Sequence, residues 1–329
     1  MRNLYLCEKK DWQRPNKTEE WAYEQCSTLP YSRFVQYINF PWATYIDLSR
    51  RGQLERISSL EAKLMQVPPK NTLIRATICQ HIWAPDIIPW LKKLKITDLF
   101  WSHSKIGEFE LEGVRIHPFP LYPVRALDKE FYGLNSQHQR DLLFSFVGAY
   151  EPELYLSPVR KWIFNLEHNK NWVIVSRDQW HFEDEVYGRQ IGGKNLSEKN
   201  EQSLKNDAAY FSDVLSRSCF SLCPSGSGPN SIRFWESLGF GAIPVLLSDT
   251  LRLPGHHAEW NDAIIRIRET ESDVLSLPAK LKALAKNEEK IYRMRVAGKA
   301  LWKKYGLNGP KNLLGDLLSR ETIAKLTLG

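Results

Sequence analysis

Arg233 and Glu236 stand three residues apart just beyond a turn of small residues, Ser225-Gly-Ser-Gly-Pro-Asn-Ser231. An arginine can fork onto a diphosphate, and a carboxylate slightly further along can accept hydrogen bonds from ribose hydroxyls. Such a pair needs a helix that begins at the turn. The first amides of a helix have no internal partner and carry the positive end of its dipole, so a phosphate can rest on them. Gly226 and Gly228 allow close approach, and Ser225, Ser227, Asn230 and Ser231 complete the candidate nucleotide-binding stretch. The spacing puts Arg233 and Glu236 on roughly one face of the helix. Taken alone, two charges at this spacing describe a surface ion pair; the glycine turn ahead of them favours a nucleotide.

The elements that must hold these residues follow in order. The apolar run Phe220 to Cys223 predicts a strand, and Pro229 sits where prolines open helices. Ile232, Trp235 and Leu238 recur at helical spacing until Gly239 and Gly241 end the pattern. A second strand is predicted over Ala242 to Leu247. Pro244 lies inside it, and a proline removes a ladder donor, so it is expected near the strand's beginning. Asp249 is expected at the carboxyl end, where open α/β sheets bind ligands.

Known fingerprints do not fit. A Walker P-loop needs Lys-Ser/Thr after its last glycine, and none follows here; in Gly226-Ser-Gly-Pro-Asn-Ser231 a serine replaces the third glycine of G-x-G-x-x-G. The segment instead resembles the exostosin-like glycosyltransferase family. The family's donor-domain pattern falls on Tyr210, Leu215, Ser218, Phe220, Leu222, Pro224, Gly226, Ser231, Arg233, Glu236, Gly241, Ile243, Pro244, Val245, Ser248, Asp249, Leu253, Pro254 and Trp260. Leu142-Leu-Phe-Ser-Phe-Val-Gly148 and Arg160 resemble its opening strand and following arginine. The likeness covers about residues 142 to 267, and the amino-terminal part matches only in outline.

The resemblance implies inverting transfer of a sugar from a nucleoside diphosphate sugar, a UDP-sugar first among them, to a hydroxyl of a polysaccharide, oligosaccharide or glycolipid. The departing diphosphate gains negative charge as the glycosidic bond breaks. Helix-mouth amides and Arg233 should hold it more tightly as that charge grows, with Arg160 a second phosphate ligand by resemblance. No cofactor and no metal is expected, since no Asp-x-Asp triad is present. The acceptor hydroxyl must lose a proton to a base in the amino-terminal half. Asp47, His81 and His103 lie at or near predicted strand ends there, Asp47 and His81 ranking slightly ahead. A site with no usable base is the alternative.

At 329 residues the chain is too long for one average domain. Alternating elements predict α/β architecture throughout: strand Phe34 to Ile38, helix Leu54 to Met65, strand Thr72 to Cys79, helix Asp86 to Leu94 and strand Ile96 to Trp101, then strand Leu142 to Val147, helix Pro158 to His168, strand Trp172 to Ser176, helix Leu204 to Leu215 and strand Ala263 to Ile267. The Pro-rich run His117 to Pro123 and polar Asp128 to Arg140 read as connecting chain. Two Rossmann-like parallel-sheet domains facing across a cleft, the GT-B arrangement, are expected. Their bounds are 1–125 on the acceptor side, a linker 126–140, and 141–305 for the nucleotide-sugar, with helices in 306–329 packing back on the first domain.

The net charge of +7 is concentrated late: from Lys280 onward twelve Lys/Arg face four Asp/Glu. Around Glu288 to Tyr305 the basic residues flank an apolar seam of Ile291, Met294, Gly298, Leu301 and Tyr305. A seam packed in the core is the first expectation, and peripheral contact with an anionic membrane the second. Nucleic acid is disfavoured, because no binding motif accompanies the charge. Five cysteines without metal-type pairing, and no apolar run of signal or spanning length, lead to a cytoplasmic expectation, with peripheral placement at the inner face of a membrane. Two other functional classes compete: a non-catalytic partner subunit on the same fold, and a dinucleotide-dependent oxidoreductase.

Overall fold

A computed structural model describes residues 4–5, 8–27, 29, 35–67, 74–126, 140–177 and 198–326. Most of the expected linker, residues 178–197, Cys7 and Phe34 fall outside the described residues. The chain divides into two compact units: Met1–Tyr122 with Arg252–Pro254 and Asn308–Gly329, and Pro123–Leu251 with Gly255–Leu307.

In the first unit the strands are β1 (Leu4–Tyr5), β2 (Val35–Asn39), β3 (Ile74–Cys79), β4 (Asp98–Trp101), β5 (Glu110–Leu111) and β6 (Val114–Pro118). They form one sheet in the order β1-β2-β3-β4-β6-β5, parallel except for the short β5–β6 hairpin. Helices α1 (Thr18–Cys26), α2 (Trp42–Arg50), α3 (Leu54–Met65) and α4 (Ile88–Lys93) join them. In α3 the buried Ile57, Leu60 and Leu64 recur at helical spacing while Leu54 and Met65 stay exposed, so one stripe packs and the rest is solvated. His117 and Pro118 end β6 rather than opening an irregular stretch, because residues 115–118 pair in parallel with Asp98–Trp101.

The second unit contains β7 (Leu142–Gly148), β8 (Trp172–Ser176), β9 (Ser218–Pro224), β10 (Ile243–Leu247) and β11 (Ile265–Arg266), all parallel in the order β11-β10-β9-β7-β8. Its helices are α5 (Val159–Phe164), α6 (Glu198–Arg217), α7 (Ile232–Gly239), α8 (His257–Asn261), α9 (Glu271–Leu275), α10 (Leu277–Ala285) and α11 (Glu288–Leu301). A final helix, α12 (Gly309–Leu326), packs against α1 in the first unit. Both sheets are thus parallel α/β layers. The second core gathers Phe144, Phe146, Phe220, Leu222, Val245 and Leu247 from the strands with Val159, Ile163, Leu277, Leu281, Ile291 and Met294 from the helices.

The seam on α11 is therefore core: Ile291, Met294, Gly298 and Leu301 are buried, as is Tyr305 beyond it, while Lys290, Arg293 and Lys303 are exposed. Pro244 is the second residue of β10, and β11 flanks only Val245 and Leu246, so on that side no ladder exists at the proline to be broken. Among the described residues, no helix is long and apolar enough to cross a membrane.

Candidate functional site

The turn after β9 is built as a shelf at the carboxyl end of the second sheet. Ser225 donates its amide to Leu247 O (2.8 Å), tying the turn to the end of β10, and Gly226 donates to Gly228 O (2.9 Å). Helix α7 starts at Ile232, three residues later than Pro229 would place it. The reason is Asn230: its Oδ1 accepts both the Ser231 amide (2.9 Å) and the Trp235 indole (2.9 Å), so the side chain bridges turn and helix and Ser231 becomes the extended N-cap. The Ser231 hydroxyl makes no capping bond. The first-turn amides of α7 thus receive no side-chain cap, which leaves the dipole's positive end unanswered. At the other end Gly241, at φ +68°, closes the helix with its amide on Leu238 O (3.1 Å).

Arg233 and Glu236 do not pair with each other. The Arg233 guanidinium lies over Phe146, 4.4 Å from the ring centroid, and donates through Nη2 to the Val147 carbonyl at the end of β7. Among the described residues its Nε and Nη1, both buried, have no partner. Burial first, and nearby Arg160 second, push Arg233 down to about 10, so it remains charged at neutral pH. Arg160, itself 8% exposed, donates through Nε to Ser225 O (2.9 Å) and through Nη1 to Ala149 O (2.9 Å), and stacks on Tyr155 at 4.2 Å. Burial also lowers its pKa.

Two features show how closely the guanidiniums are seated. A Cβ on Gly148 would stand 3.1 Å from Arg233 Nη2 and 3.6 Å from Arg160 Nη1, and one on Gly226 would stand 3.3 Å from Arg160 Nη2. Among the described residues neither arginine makes an ion pair. Two neighbouring like charges, one buried and one half-buried, with carbonyls and aromatic faces around them cost the ligand-free protein free energy, and a bound anion would recover it.

Glu236 is 2% exposed, and burial raises its pKa. Its Oε1 accepts the Arg125 amide (3.1 Å), with the Arg125 guanidinium 3.9 Å away. Asp249 is exposed and acts on main chain: its carboxylate accepts the Glu269 amide (3.2 Å), and Glu269 Oε2 accepts the Asp249 amide (3.1 Å) in return. Glu269 Oε1 takes hydroxyl bonds from Ser157 (2.8 Å) and from Ser225. Glu269 therefore buttresses the glycine turn from a loop 44 residues away. Ser227 and Gly228 complete the turn, Gly228 buried and Ser227 half-buried.

In the first unit the three proton-acceptor candidates come together at the carboxyl end of its sheet. His81 follows β3, His103 follows β4, and Asp47 sits on α2 after β2. The Trp83 amide donates to His81 Nδ1 (3.0 Å), which leaves the proton on Nε2 to donate to Asp47 Oδ1 (3.2 Å). Gln13 Nε2 donates to Asp47 Oδ2 (2.5 Å). Behind them lies a buried chain that sequence reasoning missed. Gln80 Nε2 donates to Gln13 Oε1 (2.8 Å), and Glu19 Oε1 accepts the amides of Ala43 and Gln80 (both 3.1 Å). Burial pushes Glu19 up to about 8. His103 is buried, and burial together with nearby His81 pushes it down to about 3. No cluster of His, Cys, Asp or Glu suited to a metal ion occurs among the described residues.

Residues 109–283 match the model of the exostosin GT47 domain. The chain is 25% identical over 197 residues to the exostosin-1 homolog of Caenorhabditis elegans, covering 58% of this chain and 48% of that protein. It is 35% identical over 107 residues to a protein of Oryza sativa subsp. japonica named as a probable glucuronosyltransferase, covering 28% of this chain and 25% of the relative. The chain thus spans half or less of the length of these relatives. Among solved structures, HepE of Anabaena in complex with UDP aligns over 92% of this chain and 81% of its own at a TM-score of 0.44 and 9% identity. The pneumococcal O-GlcNAc transferase GtfA in complex with UDP and GlcNAc aligns over 89% and 57% at 0.39 and 11%. With the family model matched across more than half of its 329 residues, the chain belongs to the exostosin GT47 family.

Proposed function

We propose that this chain is an inverting glycosyltransferase that moves a sugar from a nucleoside diphosphate sugar, a UDP-sugar by preference, to a hydroxyl of a polysaccharide, oligosaccharide or glycolipid. The observation that carries the reading is a pair of guanidiniums without an ion-pair partner among the described residues, the buried Arg160 and the half-buried Arg233, beside an uncapped helix mouth. Family membership and the relative named as a glucuronosyltransferase support it. Among the described residues Arg233 keeps two unpartnered donors, Nε and Nη1, that a small shift of the guanidinium would turn toward a diphosphate. Its electrostatic hold strengthens as the leaving group gains charge, which lowers the barrier to transfer rather than only the dissociation constant. Arg160 is fastened to the turn through Ser225 O, so its charge is pre-positioned. Glu236, held by Arg125, is the ribose partner in this reading.

A divalent metal is not needed where two arginines and a helix mouth supply the positive charge. We assign the proton acceptor to the Asp47–His81 pair, in which a carboxylate and an imidazole are hydrogen-bonded to each other, rather than to His103, whose burial disfavours the charge that taking up a proton would create. Asp47→Asn should then lower turnover while leaving nucleotide affinity unchanged, and unaltered turnover would remove the pair from the mechanism. The nucleotide site itself is tested by titrating the purified chain with UDP, UMP and uridine. Affinity should rise with each phosphate; binding of none of them would favour the non-catalytic partner subunit.

A further inference from the structure

The second sheet has a worked surface at its other end. Where β7 and β8 begin, a cavity of about 350 Å³ opens beside the first turns of α10. A strand of seven residues separates it from Gly148, so it lies roughly 20 Å from the arginine pair. One wall is the half-buried Trp172. Its ring is fixed on both counts that matter: it stacks on Phe144 (centroids 5.0 Å apart, planes at 15°), and its indole N–H donates to Glu167 O (3.1 Å). The loop that delivers it is also pinned. The Asn171 amide donates to Asn169 Oδ1 (3.0 Å), and Asn171 O accepts the Leu143 amide (2.6 Å). That bonding leaves the Asn171 side-chain amide at the cavity wall without a partner among the described residues. The charged groups are unequal. Asp141 is neutralised by Arg217, which grips both carboxylate oxygens (2.9 and 2.5 Å), whereas Lys282 makes no ion pair among the described residues.

We propose that this cavity is a second saccharide-binding site, remote from the nucleotide, that takes a sugar unit bearing a carboxylate. A rigid indole presents a flat apolar surface against which the C–H face of a pyranose can lie. A free carboxamide can both donate to and accept from ring hydroxyls, and Lys282 supplies the counter-charge for a uronate. An apolar ligand would cover the amide and the ammonium without answering either. The site goes beyond the transferase reading and does not depend on it. It would let a growing chain stay attached to the protein while its end is extended elsewhere.

Calorimetric titration of the full chain with a hyaluronan tetrasaccharide, with cellotetraose as the neutral comparison, tests the site. Wild type, Lys282→Glu and Asn171→Ala are compared, and each is titrated with UDP as well. Both substituted residues are exposed, so the variants should fold. The acidic tetrasaccharide should bind wild type more tightly than cellotetraose does. Lys282→Glu should weaken it by about tenfold, Asn171→Ala should weaken both sugars, and UDP binding should not change. No saccharide binding by wild type, or variants that bind the acidic tetrasaccharide as wild type does, would overturn the proposal. Wild type that binds the acidic tetrasaccharide but not UDP would count against the transferase reading and leave this site standing.

Discussion

Replacing Arg233 by Met keeps much of the side chain's volume and its contact with Phe146 while removing the charge, and the structure sets opposing terms for it. Arg233 leaves Nε and Nη1 buried without partners, at about 1–3 kcal/mol each. Against this stand its bond to the Val147 carbonyl, about 1.5–3 kcal/mol for a charged donor, and its stack on Phe146, about 0.5–2 kcal/mol. The terms nearly cancel, so the ligand-free variant should melt within a few degrees of wild type. Loss of one member of a satisfied buried ion pair would instead cost about 3–5 kcal/mol. Ligand separates the two proteins. At a UDP concentration of about 100 Kd the wild type gains ~2.7 kcal/mol. A variant short of one charged phosphate contact, worth ~2 kcal/mol, binds roughly 30-fold more weakly and keeps about 0.9 kcal/mol of that gain. Differential scanning fluorimetry with and without UDP reads both quantities. A ligand-free variant destabilised by about 3 kcal/mol or more, or a UDP-induced shift equal to that of wild type, would refute the reading of Arg233 as a charge held in waiting for an anion.

Two further substitutions probe the same reasoning. Gly148→Ala places a methyl group 3.1 Å from Arg233 Nη2 and 3.2 Å from Phe146 Cζ, so the guanidinium must shift by a few tenths of an ångström. UDP affinity should fall roughly 3- to 10-fold with a stability loss of about 1 kcal/mol, and calorimetry that finds wild-type affinity would show that the seating of Arg233 does not matter. Glu19, raised by burial to about 8 from 4.5, takes up a proton on folding; its contribution is fully present below pH 4.5 and is lost as pH rises through about 8. Glu19→Gln preserves an oxygen for the amides of Ala43 and Gln80, so it should flatten the stability profile between those limits. Denaturant titrations at pH 5 and pH 8 that fall by the same amount in both proteins would contradict the assignment.

Much of the second unit was legible in its sequence because its patterns are local. The strand predicted at Trp172 to Ser176 has those bounds, and β10 departs from its prediction by one residue, since an apolar run bounded by turn residues has few other solutions. Glycines at 226, 228 and 241 punctuate the turn and the helix end. The helix start was misjudged because Pro229 signals an opening, whereas Asn230 determines it through a side-chain bridge to a tryptophan five residues on. Nor could spacing reveal that Arg233 and Glu236 face different partners, as Val147 and Arg125 are 86 and 111 residues distant from them. Glu269 reaches the turn by folding alone. In the first unit α1 escaped notice because Thr18, Glu19, Glu20, Trp21, Ala22 and Cys26 are all buried, which leaves no amphipathic stripe to read. The network through Gln13, Glu19 and Gln80 joins three separate segments, and no sequence period links them.

The most direct measurement is release of nucleoside diphosphate from a panel of nucleotide sugars, followed with and without a glycan acceptor and repeated in the presence of a chelator. Wild type should turn over at least one UDP-sugar in an acceptor-dependent manner, at the same rate in chelator, and Arg233→Met should be reduced by a hundredfold or more, as on the order of 10²–10³ is typical for removing one transition-state anion donor. Turnover abolished by chelator and restored by manganese would contradict the metal-free mechanism, and no release from any nucleotide sugar would contradict transfer itself.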